Sequence, residues 1–130
     1  MIVVDASVVV ELLLATPDAP RILDRLLGAG EPLHAPHLLD VEVLQVLRRY
    51  AARGTLSSAR ADEALRVLGD LPLTRHAHGP FLERVWSLRA NLTTYDAAYV
   101  ALAEALDATL LTRDARLASA PGHRARVEVA

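Results

Sequence analysis

The segment Ile2-Val3-Val4-Asp5-Ala6-Ser7 decides how the chain is read. An apolar run from Met1 ends at the carboxylate of Asp5, and Ala6 to Ala15 then follows a helical pattern until Thr16-Pro17 stops it. A strand that passes at once into a helix opens a parallel-sheet unit, because parallel neighbours need a crossover of about a dozen residues or more. The pattern recurs. Asp18 to about Leu27 reads as a helix closed by Gly28-Ala29-Gly30, and Pro32 to Pro36 as a short second strand. His37 to Arg53 is a long helix ending at Gly54, and Ser57 or Ser58 caps a helix to about Leu68. A strand is expected at Leu71 to Leu73, then a helix over Pro80 to Ala90. Thr93 or Thr94 caps a helix to about Leu106, Ala108 to Thr112 is a strand, and Val127 to Val129 is a last strand.

Strands alternating with helices predict an α/β fold in three layers, with a parallel sheet between helices. In open sheets of this kind ligands bind beyond the carboxyl ends of the strands, near the switch in strand order. Functional residues are therefore sought just after strands. The 130 residues form one domain's worth of chain with no repeat, low-complexity tract or linker, so a single domain over 1–130 is expected. No apolar run approaches the ~18 residues of a membrane span, and Asp5 breaks any leader-like start, which points to a cytoplasmic protein.

The absence of cysteine removes disulfides and thiolate metal sites, so a bound metal must be held by oxygen or imidazole. All 14 basic residues are arginine, and with no lysine the chain cannot perform P-loop chemistry. Receiver domains and haloacid-dehalogenase-like phosphatases also place acids after parallel strands, but both use a lysine beside the phosphoryl group. Gly28-Ala29-Gly30 follows a helix and lacks a third glycine, which argues against a dinucleotide site. A net charge of −2 gives no global attraction for nucleic acid, so such a partner would be held by local arginines or by metal.

Four acids fall on the strand-to-helix side of the fold. Asp5 follows the first strand, Asp114 the late strand, Asp96 lies in the first turn of the helix opened by Thr93-Thr94, and Glu42 lies early in the long helix. Each has an ordinary reading as well: Asp5 and Asp114 as helix caps, Asp96 as an acid favoured by the helix dipole. Asp40 reads as a plain first-turn acid. Glu42 sits among Leu38, Leu39 and Val46 at helical spacing, which suits a solvated role poorly. Together, four carboxylates in one small space repel each other and call for hard cations such as magnesium, with manganese as a substitute. Such ions activate water against a phosphodiester.

The segments Ile2-Val3-Val4-Asp5-Ala6-Ser7, Pro36 to Glu42, Leu92-Thr93-Thr94-Tyr95-Asp96-Ala97-Ala98-Tyr99 and Leu110-Leu111-Thr112-Arg113-Asp114 resemble the PIN domains, and within them the VapC toxins of bacterial toxin–antitoxin systems. The resemblance spans the whole chain. It implies a five-stranded parallel sheet and a magnesium- or manganese-dependent endoribonuclease acting on RNA. Asp5, Glu42 and Asp96 match the family's core metal-site acids and Asp114 its more variable fourth. Thr112 and Ser7 match small polar positions beside them. An antitoxin that places an arginine or bulky side chain in the acidic groove, and a homodimer, are implied likewise. The rival reading is a non-catalytic scaffold that uses the groove only to bind a partner.

Other polar and aromatic residues are expected to be structural. His34 and His37, or His76 and His78, read as solvated loop histidines rather than zinc ligands. Phe81, Trp86, Tyr95 and Tyr99 at helical spacing read as core or interface rather than as rings that stack on bases, and Arg48, Arg49 and Arg53 as a solvated helix face rather than as phosphate contacts.

Overall fold

The computed structural model describes residues 1–130. Five strands, β1 (Ile2–Val4), β2 (Leu33–Pro36), β3 (Leu73–His76), β4 (Thr109–Thr112) and β5 (Arg126–Val129), form one sheet in the order β3-β2-β1-β4-β5, every pair parallel. The helices are α1 (Ala6–Leu13), α2 (Ala19–Gly28), α3 (Leu38–Ala52), α4 (Ser58–Asp70), α5 (Leu82–Ser87), α6 (Thr94–Leu106) and α7 (Ala115–Ser119). α1 packs on α2, α3 and α4, whereas α5 packs on α6, so two groups of helices accompany the sheet. The expected α/β architecture and its five parallel strands are present.

Burial follows from strand position. β1 is central and wholly buried, which is why Ile2-Val3-Val4 is a continuous apolar run and not an alternation. α6 crosses β1, β2 and β4 with an unbroken buried stretch from Ala97 to Ala103, whose alanines let the helix approach the sheet closely. Leu110 and Leu111, consecutive in β4, face opposite sides of the sheet and are both fully buried, as are Leu39 on α3 and Leu102 on α6. The side chain of Glu104 on α6 is only 2% exposed and is held by Arg84 from α5, with Arg124 as a second partner.

Several boundaries differ from the sequence reading. α1 stops at Leu13, and Ala15 turns into the left-handed region at φ 50° before Thr16-Pro17. α4 runs on to Asp70, so the strand expected at Leu71 to Leu73 begins only at Leu73 and continues through Thr74, Arg75 and His76. That segment looks polar because β3 is an edge strand, paired on one side only, through the register Leu33↔Leu73 to Pro36↔His76. The helix expected over Pro80 to Ala90 divides into a 3-10 turn, Gly79–Phe81, and the short α5.

The histidines also depart from expectation. His34 and His76 lie in β2 and β3, joined ring to ring by a 2.9 Å hydrogen bond, while the exposed His78 accepts from the Leu38 N–H. Asp40 is likewise no plain helix-turn acid, for Arg75 on β3 binds it at 2.8 Å and ties α3 to the sheet edge.

Of the alternative caps, Ser57 and Thr93 are the ones used, Thr93 accepting from the Asp96 N–H at 3.1 Å. Thr93→Ala removes the bond that fixes the first turn of α6. It is expected to lower stability by about 1 kcal/mol in urea denaturation, and an unchanged midpoint would count against that role.

Candidate active site

The strand order turns at β1 and β4: the chain builds outward through β2 and β3 on one side and through β5 on the other. The carboxyl ends of β1 and β4 therefore open a crevice, the usual ligand position in such sheets. A cavity of about 630 Å³ lies there, and Asp5, Glu42, Asp96 and Asp114 all line it, together with Ser7. Remote segments thus deliver the four expected acids to one groove. Thr112 stands just behind it, fully buried.

Asp5 occupies the N-cap position of α1, yet its side chain makes no capping bond. Two hydroxyls hold it instead, Ser7 Oγ at 3.0 Å and Thr112 Oγ1 at 2.7 Å, both donating to Oδ2. The same hydroxyl oxygens accept the backbone N–H groups of Arg113 and Asp114, each at 3.1 Å. Each hydroxyl therefore aims Asp5 and satisfies the turn after β4, leaving the other carboxylate oxygen, Oδ1, directed to no protein donor.

Glu42 is held differently. The Tyr99 hydroxyl, from a buried position one turn along α6 from Asp96, donates to Oε1 at 2.7 Å. Burial pushes the Glu42 carboxyl above the usual range; the Tyr99 bond opposes this, and the charges of Asp5 and Asp96 add to it. Burial raises Asp96 too, and the charge of Asp5 raises it further; the Thr93 bond opposes this, with Asp114 adding a lesser rise and Arg116 a lesser fall. Burial, with the Glu42 contact, keeps the Tyr99 phenol protonated. Both Asp96 and Glu42 thus hold their protons more tightly than an ordinary carboxyl.

Asp114 behaves otherwise. It caps α7 through the Arg116 N–H at 3.0 Å, and the Arg116 guanidinium binds both of its oxygens, which holds its pKa below the usual range. Its ordinary reading as a cap is correct, although it still borders the groove. Asp5, Glu42 and Asp96 have no arginine within 4.0 Å. Arg113 also lines the groove but is drawn away by Asp18 at 2.7 Å and Glu11 at 3.7 Å.

Oxygen-only donors with free lone pairs and no cationic partner match the chemistry of a hard divalent ion. No three acidic or imidazole groups close tightly enough to enclose an ion unaided. That spacing still suits magnesium, which takes one or two carboxylates and keeps several waters.

Sequence reasoning missed Tyr99 as the residue that orients Glu42, although its position three residues after Asp96 puts both on one face of α6. Gln45 and Tyr50 line the groove with no signal in the sequence, and Arg49 and Tyr95, whose alternative readings are phosphate and base contacts, line it as well. Tyr95 and Trp86 are 60% and 66% exposed, which removes the core half of their core-or-interface reading.

An acidic crevice at the switch point of a parallel sheet defines an α/β protein with a groove lined by carboxylates. The chain belongs to the PIN-domain family, whose family model matches residues 2–122. It is 49% identical over 121 residues to ribonuclease VapC1 of Mycobacterium tuberculosis (strain ATCC 25618 / H37Rv), covering 92% of this chain and 90% of that protein. Among solved structures it resembles VapBC2 from Rickettsia felis bound to a DNA fragment from their promoter, with TM-score 0.74 at 15% identity over 99% of this chain and 98% of that one. It also resembles a chain of a toxin–antitoxin complex from Klebsiella pneumoniae, with TM-score 0.66 at 20% identity over 92% and 91% of the two chains.

The electrostatics give a direct stability test. Folding raises the Glu42 pKa, so the folded chain binds that proton more tightly than the unfolded chain does. Its contribution to stability improves as pH falls toward the ordinary carboxylate range and is unfavourable above the raised pKa. Glu42→Gln keeps an acceptor for Tyr99 and removes the charge. With EDTA present it should melt a few degrees above wild type at pH 8, with the gap closing by pH 4. A variant that melts lower throughout would contradict the uncompensated charge.

Proposed function

We propose that this chain is a magnesium-dependent endoribonuclease that hydrolyses RNA phosphodiesters, working in the cytoplasm as the toxin of a toxin–antitoxin pair. One observation carries the reading: Asp5, Glu42 and Asp96 share a groove without a single cationic partner, in a chain that has 14 arginines. The kinship with ribonuclease VapC1 supports RNA as substrate, and the likeness to a chain of a toxin–antitoxin complex supports an antitoxin partner.

Asp5 and Asp96 would hold the ion, magnesium or in its place manganese, with Glu42 and Asp114 adding negative charge around it. When bound, such an ion acidifies a water and neutralises charge on the phosphodiester. The chain's own part is positional. Ser7 and Thr112 fix the rotamer of Asp5, so its free oxygen faces the groove before any ligand arrives. Tyr99 fixes Glu42 in the same way, leaving Oε2 free to take a proton from a bound water or to bind that water. The apolar walls formed by Ala6, Val10, Leu38 and Val46 limit bulk water and strengthen each of these charges.

Exposed aliphatics on α3 and α4, Val41, Leu44 and Leu65, suit burial against a second copy of the chain, in keeping with a homodimer. One observation favours the non-catalytic alternative: Arg116 already grips Asp114, so the groove accepts a guanidinium.

The two readings part in a cleavage assay. Protein freed of its antitoxin should cut RNA with magnesium, stop on addition of EDTA, and lose about a hundredfold or more of its rate on Asp5→Asn or Asp96→Asn. Equal cleavage by wild type and both variants would remove the assignment.

A further inference from the structure

Charge pairing leaves a pattern that the acidic groove does not use. Most of the arginines reach a carboxylate, but Arg48, Arg49, Arg53, Arg60 and Arg89 do not. Arg89 covers the ring of Trp86 instead, 4.5 Å from its centroid. The other four fall between the C-terminal half of α3 and the first turn of α4, and all are exposed. Unpaired positive charge is thus concentrated in one short segment.

That segment adjoins the acids. Glu42, Gln45, Val46 and Arg49 line the acidic cavity along one stripe of α3, so Arg49 stands two turns, about 10 Å, beyond Glu42. Tyr50 lines this cavity and also a second one of about 370 Å³, walled by Leu14, Thr55, Leu56, Ser57 and Arg60. Tyr50 is half-buried and its hydroxyl makes no hydrogen bond. Arg60 is tethered only by a long contact to the Leu14 carbonyl, at 3.4 Å. The surface therefore continues past the acids as cation, aromatic ring, cation.

A polyanion entering the groove meets repulsion from Asp5, Glu42 and Asp96, and the net charge of −2 offers no remedy at long range. Local arginines must supply the attraction. A ring between two such cations matches how single strands are held, with bases stacked on aromatics and phosphates on arginines. An acidic peptide would also meet the arginines, but it has no use for a path that ends at phosphodiester chemistry.

We infer that Arg49, Tyr50 and Arg60 form a track for single-stranded RNA leading away from the acids, Arg49 and Arg60 taking backbone phosphates and Tyr50 stacking a base between them. This rests on the ribonuclease reading and deepens it: the substrate is gripped over several nucleotides on one side of the cut. The track is a binding and specificity element, separate from the residues that act on the scissile bond.

The test is the fluorescence anisotropy of a labelled single-stranded oligoribonucleotide of about 12 nucleotides, in EDTA so that it stays intact. Arg49→Ala and Arg60→Ala should each weaken binding about five- to tenfold and reduce the slope of log affinity against log salt by about 0.7. Tyr50→Ala should weaken it about fivefold or more, with Tyr50→Phe restoring it. Arg124→Ala, whose partner Glu104 keeps Arg84, serves as the unchanged control. Wild-type affinity in both arginine variants overturns the track, whether or not the protein cleaves RNA. If those variants instead lose affinity only for an antitoxin, the surface belongs to protein docking and the track is again overturned. Binding through the track with no magnesium-dependent cleavage would sink the ribonuclease reading and leave the track standing.

Discussion

Negative charge without a partner is the constraint around which this molecule is arranged. Asp5, Glu42 and Asp96 face one groove, burial and mutual repulsion raise the latter two, and Arg113 of the groove wall is held off by Asp18 and Glu11. A folded chain gains nothing from such a cluster by itself, since each charge would be better solvated outside. The cost is sustained by the packing of the strands and of α6, whose buried alanines and leucines fix where the acids stand. Stability and site thus pull against each other at the same residues.

The hydroxyls show how that tension is contained. Thr112 is fully buried and gives its only proton to Asp5, while its oxygen takes the Asp114 N–H. Ser7 does the same between Asp5 and the Arg113 N–H. Neither residue carries charge, so the acid is oriented without being neutralised. Tyr99 plays the corresponding part for Glu42. Asp114 is the exception, neutralised by Arg116, and this sets it apart from the other three acids.

Much of this was legible in the chain because it rests on local pattern. The apolar run at Ile2-Val3-Val4 and the strand at Thr109 to Thr112 are buried central strands, and central strands must be apolar. Acids that follow such strands have to meet at the carboxyl edge of a parallel sheet, so Asp5 and Asp114 could be placed together from spacing alone. Edge structure was harder to see. Thr74-Arg75-His76 carries no apolar signature, because its strand pairs on one side only and its side chains bond to Asp40 and His34. The partner choices were out of reach too: nothing in the spacing says that Arg116 takes Asp114, that Arg113 avoids Asp5, or that Tyr99 finds Glu42. Those pairings depend on rotamers and on the distance between helices.

The chain combines an acidic centre with a basic approach, a division of charge that its small net value conceals. We propose that its unpaired acids seat a divalent ion. Diffraction from crystals grown with manganese, recorded near the manganese absorption edge, tests this most directly. An anomalous peak in contact with the Asp5 and Asp96 carboxylates is the expected result; no peak in the groove, or one held elsewhere on the molecule, would contradict it.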